Sequence, residues 1–174
     1  MTPERTRRIR DVASRRFPTL VVIVESVDDP HNLGAVLRTC DAVGVGEIRL
    51  VYPAKAPRMR ELRNNAAASA AKWLTLKRDG SISACVSNLH RRGFKVLVTA
   101  LSEKGKPQWS WNLKSKVAIA VCNEHSGASA DLLRLADGII TIPMRGMVQS
   151  LNVSVATAVV LEEALRQRIS KRKT

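Results

Sequence analysis

The stretch Leu20-Val-Val-Ile-Val-Glu-Ser-Val-Asp-Asp-Pro-His-Asn-Leu-Gly-Ala-Val-Leu-Arg-Thr-Cys-Asp-Ala-Val-Gly44 decides the fold. Leu20 to Glu25 is a continuous apolar run of strand length, the pattern of a strand covered on both faces of its sheet. Asn32 to Val43 then sets Leu33, Val36, Leu37 and Cys40 on one stripe, as an amphipathic helix does, with Gly44 as its stop.

The same alternation continues outward from this unit. Glu47 to Val51 reads as a second strand, Leu62 to Lys72 as an Ala-rich helix after a basic loop bracketed by Pro53 and Pro57, and Trp73 to Leu76 as a short strand. Ser81 caps a helix through Arg92 that Gly93 ends. Phe94 to Leu101 is a strand, and Ser102 to Ser115, with Gly105, Pro107 and two tryptophans, is a loop. Val117 to Cys122 is a strand, Ala128 to Ala136 a helix and Gly138 to Ile142 a strand. Asn152 to Ile169 is a helix so apolar at its start, Val153 to Val160, that it reads as buried. This order predicts an α/β domain, a mostly parallel sheet with helices on both faces.

A chain of 174 residues suits one domain with a real core, spanning 1–174. A basic helix over about 4–16 precedes the sheet, and a short basic tail covers about 169–174. Twenty-nine Lys and Arg against 15 Asp and Glu leave a formal charge of +14, which points to a polyanion and first to nucleic acid. Aromatic residues are only 3%, which argues against gripping single strands on stacked rings. No apolar run reaches the roughly 18 residues that cross a bilayer, and the basic start lacks the apolar stretch of a signal peptide. Cys40, Cys85 and Cys122 are widely spaced and form no CxxC or Cys/His set. Neither a disulfide framework nor a metal site is expected, and a reducing cytoplasm is.

Parallel sheets bind ligands at the carboxyl ends of their strands. After the first strand come Asp28, Asp29, Pro30, His31 and Asn32, leading into the helix that carries Arg38 nearly two turns on. After Cys122 comes a short polar loop, Asn123 to Gly127. After the last strand, Ser150 or Asn152 caps the final helix, whose N-terminal N–H groups face the cleft. The one G-x-G, Gly44-Val-Gly46, follows a helix and enters a strand, the reverse of a dinucleotide fingerprint. No phosphate-binding P-loop is present. Glu124, His125 and Ser126 are adjacent in one loop and cannot converge as a triad.

Three segments together resemble the SpoU-type branch of the SPOUT methyltransferases: Pro30 to Gly44, the Asn123-Glu124 to Gly127 loop, and Ile142-Pro-Met-Arg-Gly-Met-Val-Gln-Ser-Leu-Asn-Val-Ser-Val-Ala156 with Glu163 to Arg168. Within that branch the long third block and the basic N-terminal helix are most similar to the TrmH group, which methylates guanosine in tRNA. The resemblance implies a deep C-terminal trefoil knot, an S-adenosylmethionine pocket formed by it, and a homodimer. By position it places the cofactor against Thr99, Ala100, Cys122, Ile142, Met147, Ser150 and Leu151. It places catalysis on Asn32, Arg38, Glu124, Ser150 and Asn152. The implied substrate is the ribose 2′-hydroxyl of the D-loop guanosine at position 18 of tRNA, with ribosomal RNA as the alternative.

Methyl transfer from a sulfonium is an in-line displacement, so alignment is the main help a protein can give. A guanidinium stays protonated near neutral pH, which favours Arg38 as phosphate ligand and oxyanion stabiliser, with a phosphate-assisted base role also open. Asn32 and Asn152 would fix geometry through their amides, oriented by Glu124. Arg7, Arg8, Arg10 and Arg15 in the first helix and Arg166 and Arg168 in the last are the expected RNA contacts, though such runs also occur as plain solvated faces. Trp109 and Trp111 read as packing residues. Two departures stand out: the family usually has glycine at Cys122, and TrmH enzymes often extend further beyond Arg168. They keep open a third reading, a weakly catalytic RNA-binding paralogue.

Overall fold

The computed structural model describes residues 2–52, 73–123 and 126–170. The helix expected at 62–72, the proline-bracketed loop before it, Glu124 and the tail from 171 lie outside the described residues. Seven strands form one sheet: β1 (Phe17–Glu25), β2 (Val45–Val51), β3 (Leu76–Asp79), β4 (Lys95–Thr99), β5 (Lys106–Pro107), β6 (Val117–Cys122) and β7 (Gly138–Thr141). Their order is β3-β2-β1-β6-β4-β7-β5, and every pairing is parallel. The expected parallel α/β sheet is therefore the observed one.

Five α-helices accompany it among the described residues: α1 (Pro3–Ser14), α2 (Pro30–Val43), α3 (Ile82–Arg91), α4 (Ala130–Leu135) and α5 (Val153–Ile169). The pleat of the strands sorts them into two layers. Leu20, Val22 and Val24 of β1 and Ile119 and Val121 of β6 face α2 and α5, whose Leu33, Leu37, Val160 and Leu161 complete one core. Val21 and Ile23 of β1 and Ala118 and Ala120 of β6 face α3 and α4, whose Val86, Leu89 and Leu132 complete the other. Burial on both faces is what the unbroken apolar run of β1 demands.

Local chemistry sets the helix ends. Asp29 caps α2 by accepting the His31 N–H at 2.9 Å, and Gly44 closes it in the left-handed region at φ 83°. Ser81 caps α3 and Ser129 caps α4 in the same way. The basic first helix runs from Pro3 to Ser14, and none of its residues is buried. Arg16 beyond it pairs with Asp41 of α2.

Three expectations need correcting. The strand expected at Trp73–Leu76 lies at Leu76–Asp79, because residues 76–79 pair with β2 while Trp73 is 43% exposed. The loop expected over 102–115 contains β5, a two-residue edge strand on β7, followed by a 3-10 turn at Gln108–Ser110. The last helix is not enclosed all round: Val160, Leu161 and Ala164 are fully buried, but Val155 is 47% exposed. Trp111 packs against the α2/α5 core, as expected, and Trp109 is exposed.

Candidate active site

The carboxyl ends of β4, β6 and β7 open into a cavity of about 510 Å³. Thr99 to Ser102 follow β4 into its wall, Asn123 and Ser126 to Ala128 follow β6, and Ile142 and Met144 follow β7. Ser150, Leu151, Val153 and Ala156 close it from the start of α5. Parallel pairing puts the carboxyl ends of these strands on one edge of the sheet, so the loops that follow them gather there.

Six of the seven residues expected at the cofactor line this cavity: Thr99, Ala100, Cys122, Ile142, Ser150 and Leu151. Met147 does not: its side chain is 99% exposed, and Met144 lines the wall instead. Leu101 and Ser102 also line it, as do Asn123 and Ser126 of the polar loop expected after β6, though none of the four is among the residues expected at the cofactor. The signal for all four is their place within four residues of the carboxyl end of β4 or β6. The size matches pockets that enclose ligands of several rings. Leu101, Leu133 and Ile142 offer apolar walls, while Ser102, Ser126, Ser150 and Asn123 bring hydroxyl and amide groups. That mixture suits S-adenosylmethionine, which joins an aromatic base to a polar, charged chain.

The cavity wall after β6 is tied to the end of β1. Asn123 donates from Nδ2 to the Ser26 carbonyl at 2.9 Å and to Asp28 Oδ2 at 3.2 Å. Ser129 donates from its N–H to Glu25 Oε2 at 3.0 Å and from its hydroxyl to Oε1 at 2.6 Å. Cys122 is the register partner of Glu25. Its side chain belongs to the α3/α4 face of the sheet, and burial together with the neighbouring Glu25 carboxylate pushes its thiol well above the ordinary range.

At the edge of the cavity the starts of α2 and α5 meet. Asn152 donates from Nδ2 to Asn32 Oδ1 at 2.9 Å across 120 residues of sequence. Its own Oδ1 accepts the Ser154 N–H at 2.8 Å, so the side chain both caps α5 and joins α2. Ser150, exposed, stands two residues before this cap, and Arg38 is exposed on α2. Of the five expected catalytic residues, Asn32 and Asn152 are in contact, Ser150 lines the cavity, and Arg38 shares a helix with Asn32. Glu124 is outside the described residues.

The expected RNA contacts divide. Arg7, Arg8, Arg10 and Arg15 are exposed in and just after α1. Arg166 is exposed and pairs with Glu163 at 2.7 Å. Arg168 is turned inward: it donates to Thr19 Oγ1 at 2.7 Å and the Ser115 carbonyl at 2.9 Å, and lies 5.2 Å from the centre of the Phe17 ring. Burial lowers its pKa. Its bonds fasten α5 to β1, so a free phosphate contact is not what this guanidinium is built for. Among the described residues no group of three or more His, Cys, Asp or Glu could hold a metal ion, and no helix is long and apolar enough to cross a membrane.

An all-parallel sheet with this cavity at its strand ends, closed by the 142–156 segment, defines the class. Residues 19–162 match the SpoU rRNA methylase family, and the chain belongs to that family. It is 45% identical over 168 residues to the tRNA (guanosine(18)-2′-O)-methyltransferase of Thermus thermophilus, covering 97% of this chain and 85% of that one. The crystal structure of the A. aeolicus TrmH/SpoU tRNA modifying enzyme superposes with a TM-score of 0.86 at 34% identity, covering 95% of this chain and 83% of that one. An AdoMet-bound rRNA methyltransferase from Sinorhizobium meliloti superposes with a TM-score of 0.77 at 27% identity, covering 92% and 61%. The sheet and its C-terminal segment are thus those of SpoU/TrmH enzymes, consistent with the C-terminal knot that the resemblance implied.

Proposed function

We propose that this chain is an S-adenosylmethionine-dependent RNA methyltransferase that acts on the ribose 2′-hydroxyl of guanosine 18 in the D-loop of tRNA. The observation that carries this reading is the Asn152–Asn32 hydrogen bond, which joins the helix start beside the cavity to the helix that bears Arg38. The 45% identity to a tRNA guanosine-18 enzyme favours tRNA over ribosomal RNA. The protein works in the cytoplasm as a homodimer, and the exposed Val155 on α5 supplies apolar surface for a partner copy.

When bound, S-adenosylmethionine supplies a methyl group activated on a positively charged sulfur. Leu101, Ile142 and Leu151 hold its apolar part and exclude water, while Thr99, Ala100, Cys122 and Ser150 complete the wall. Met147, solvent-exposed, is left out of this set. Asn32 and Asn152 fix the ribose by amide hydrogen bonds, each amide held in place by the other and both oriented by Glu124. Arg38 binds the neighbouring phosphate and stabilises the negative charge that would develop on the 2′-oxygen as its proton passes to water or to that phosphate. The exposed arginines of α1 and Arg166 engage phosphates further along the RNA. The cavity of about 510 Å³ is open with Cys122 in its wall, so this replacement of the family glycine is compatible with a cofactor there.

The test is transfer of labelled methyl to bulk tRNA, with ribosomal RNA in parallel and Arg38→Ala as control. Ribose methylation of tRNA that the control abolishes supports the proposal. Methylation of ribosomal RNA alone moves the substrate, and no transfer to either RNA refutes the catalytic reading.

A further inference from the structure

Glu25 is a buried carboxylate, 6% exposed, that stands behind the cavity wall and lines none of it. A carboxylate kept from water must be satisfied by fixed donors. Here both oxygens are used on one residue, Ser129, through its N–H at 3.0 Å and its hydroxyl at 2.6 Å. On the other side Glu25 lies opposite Cys122, its partner in the β1/β6 register. Cys122, Asn123 and Ser126 to Ala128 line one wall of the cavity, and Ser129 follows directly. The same carboxylate therefore meets that stretch at both of its ends.

The residue after Glu25 reinforces the arrangement. Among the described residues Ser26 is the one non-glycine with positive φ, 52°. Such conformations persist where surrounding contacts impose them. The turn aims the Ser26 carbonyl at Asn123 Nδ2, and Asn123 Oδ1 in turn accepts the Ser126 N–H at 3.0 Å. Three residues beyond Ser26, Asp29 caps the helix that bears Asn32 and Arg38.

We propose that Glu25 is a positioning residue for the reaction: by gathering Cys122 and Ser129 it sets the wall of Asn123 and Ser126 to Ala128 against the cofactor and fixes that wall relative to α2. The inference rests on reading the cavity as the S-adenosylmethionine site. Glu25 touches neither cofactor nor ribose and acts only through that wall.

Glu25→Gln keeps the shape but turns one acceptor into a donor. The Ser129 hydroxyl would then have to accept it while also accepting the Leu132 N–H. In the full chain, Glu25→Gln should weaken S-adenosylmethionine binding, read by calorimetry, about tenfold. Turnover at saturating cofactor and tRNA should stay within about twofold of wild type. Amide exchange at residues 126–130 should quicken about tenfold without cofactor, and the melting temperature should move little. Ser129→Ala, which also loses the cap of α4, should show the same split between affinity and turnover. A merely structural role would lower the melting temperature and leave the affinity of the folded protein alone. Unchanged affinity in Glu25→Gln, or a fall in turnover with affinity intact, overturns the proposal. Failure of the wild-type chain to bind S-adenosylmethionine overturns the methyltransferase reading itself. Unchanged loop exchange in Glu25→Gln removes the positioning role whatever the wild-type chain binds.

Discussion

Replacing Glu47 by Gln should cost stability in a way that fades with acid. Glu47 of β2 is only 8% exposed, and its carboxylate accepts from Arg49 at 3.0 Å, Arg92 at 2.9 Å and Lys77 at 2.8 Å. Arg49 continues the network to Asp79 of β3 and to Asn88 of α3, so these charges fasten β3 and α3 onto the sheet. Removing one member of a buried ion network commonly costs about 3–5 kcal/mol, because its partners stay buried and uncompensated. Lys77 is half exposed and Arg92 partly so, and solvent screens their share. About 2–3 kcal/mol is therefore expected for Glu47→Gln, or about 4–12 °C in melting temperature for a chain of this length.

The pH dependence sharpens the expectation. Burial alone would raise the Glu47 carboxyl, but hydrogen bonds from Arg92, Lys77 and Arg49 outweigh it and bring the pKa down from 4.5 to about 2. Between those values the unfolded chain holds the extra proton, so stability falls as pH falls. The wild-type protein loses this contribution across the window, and the Gln variant has none to lose. Urea unfolding at pH 7, 4 and 2.5 should show the gap between the two narrowing steadily. A gap below about 0.5 kcal/mol at pH 7, or one of constant size, would refute the network's role.

Three further outcomes follow from the contacts. A side chain added at Gly138 would stand 2.2 Å from the Trp111 ring, so Gly138→Ala should lower stability by about 1–3 kcal/mol in urea titration. Arg168→Ala should lower the melting temperature while leaving the salt dependence of RNA affinity unchanged, whereas Arg10→Ala should reduce the slope of log K against log salt by about one. Asn32→Ala and Asn152→Ala should each reduce methyl transfer, and together by less than the product of the two, because they share one hydrogen bond; independent effects would place the two amides in separate roles.

The elements legible in the sequence are those whose pattern was forced by burial. Val117–Cys122 is bounded by Lys116 and Asn123, and its six residues form the whole of β6. β3 was displaced because Leu-Lys-Arg-Asp is an edge strand, with Lys77 and Asp79 spent on ion pairs rather than on an apolar face. β5 is two residues, one of them proline, too short for any periodicity to register. At the site, the asparagines were identified by resemblance, and their contact depends on topology that no local pattern encodes. Arg168 falls among the expected RNA contacts because charge alone does not reveal that a guanidinium turns back onto Thr19 and Phe17. Nothing local marks Glu25, since its partner Ser129 lies 104 residues away.

The α5 helix is fastened at both ends to the β1–α2 unit, through Asn152 to Asn32 of α2 and through Arg168 to Thr19 of β1, across 120 and 149 residues. During synthesis, β1 emerges long before β6 arrives to pair with it, and before α5 arrives to cover it. β2 and α2 follow β1 directly and cover part of it, but its other edge must wait for β6, and the face shared with α5 stays incompletely covered until nearly the whole chain has left the ribosome. Contacts so distant in sequence fold slowly. Such a nascent chain is a natural client for chaperones that hold exposed strands, and its slowest step should be the docking of its last helix.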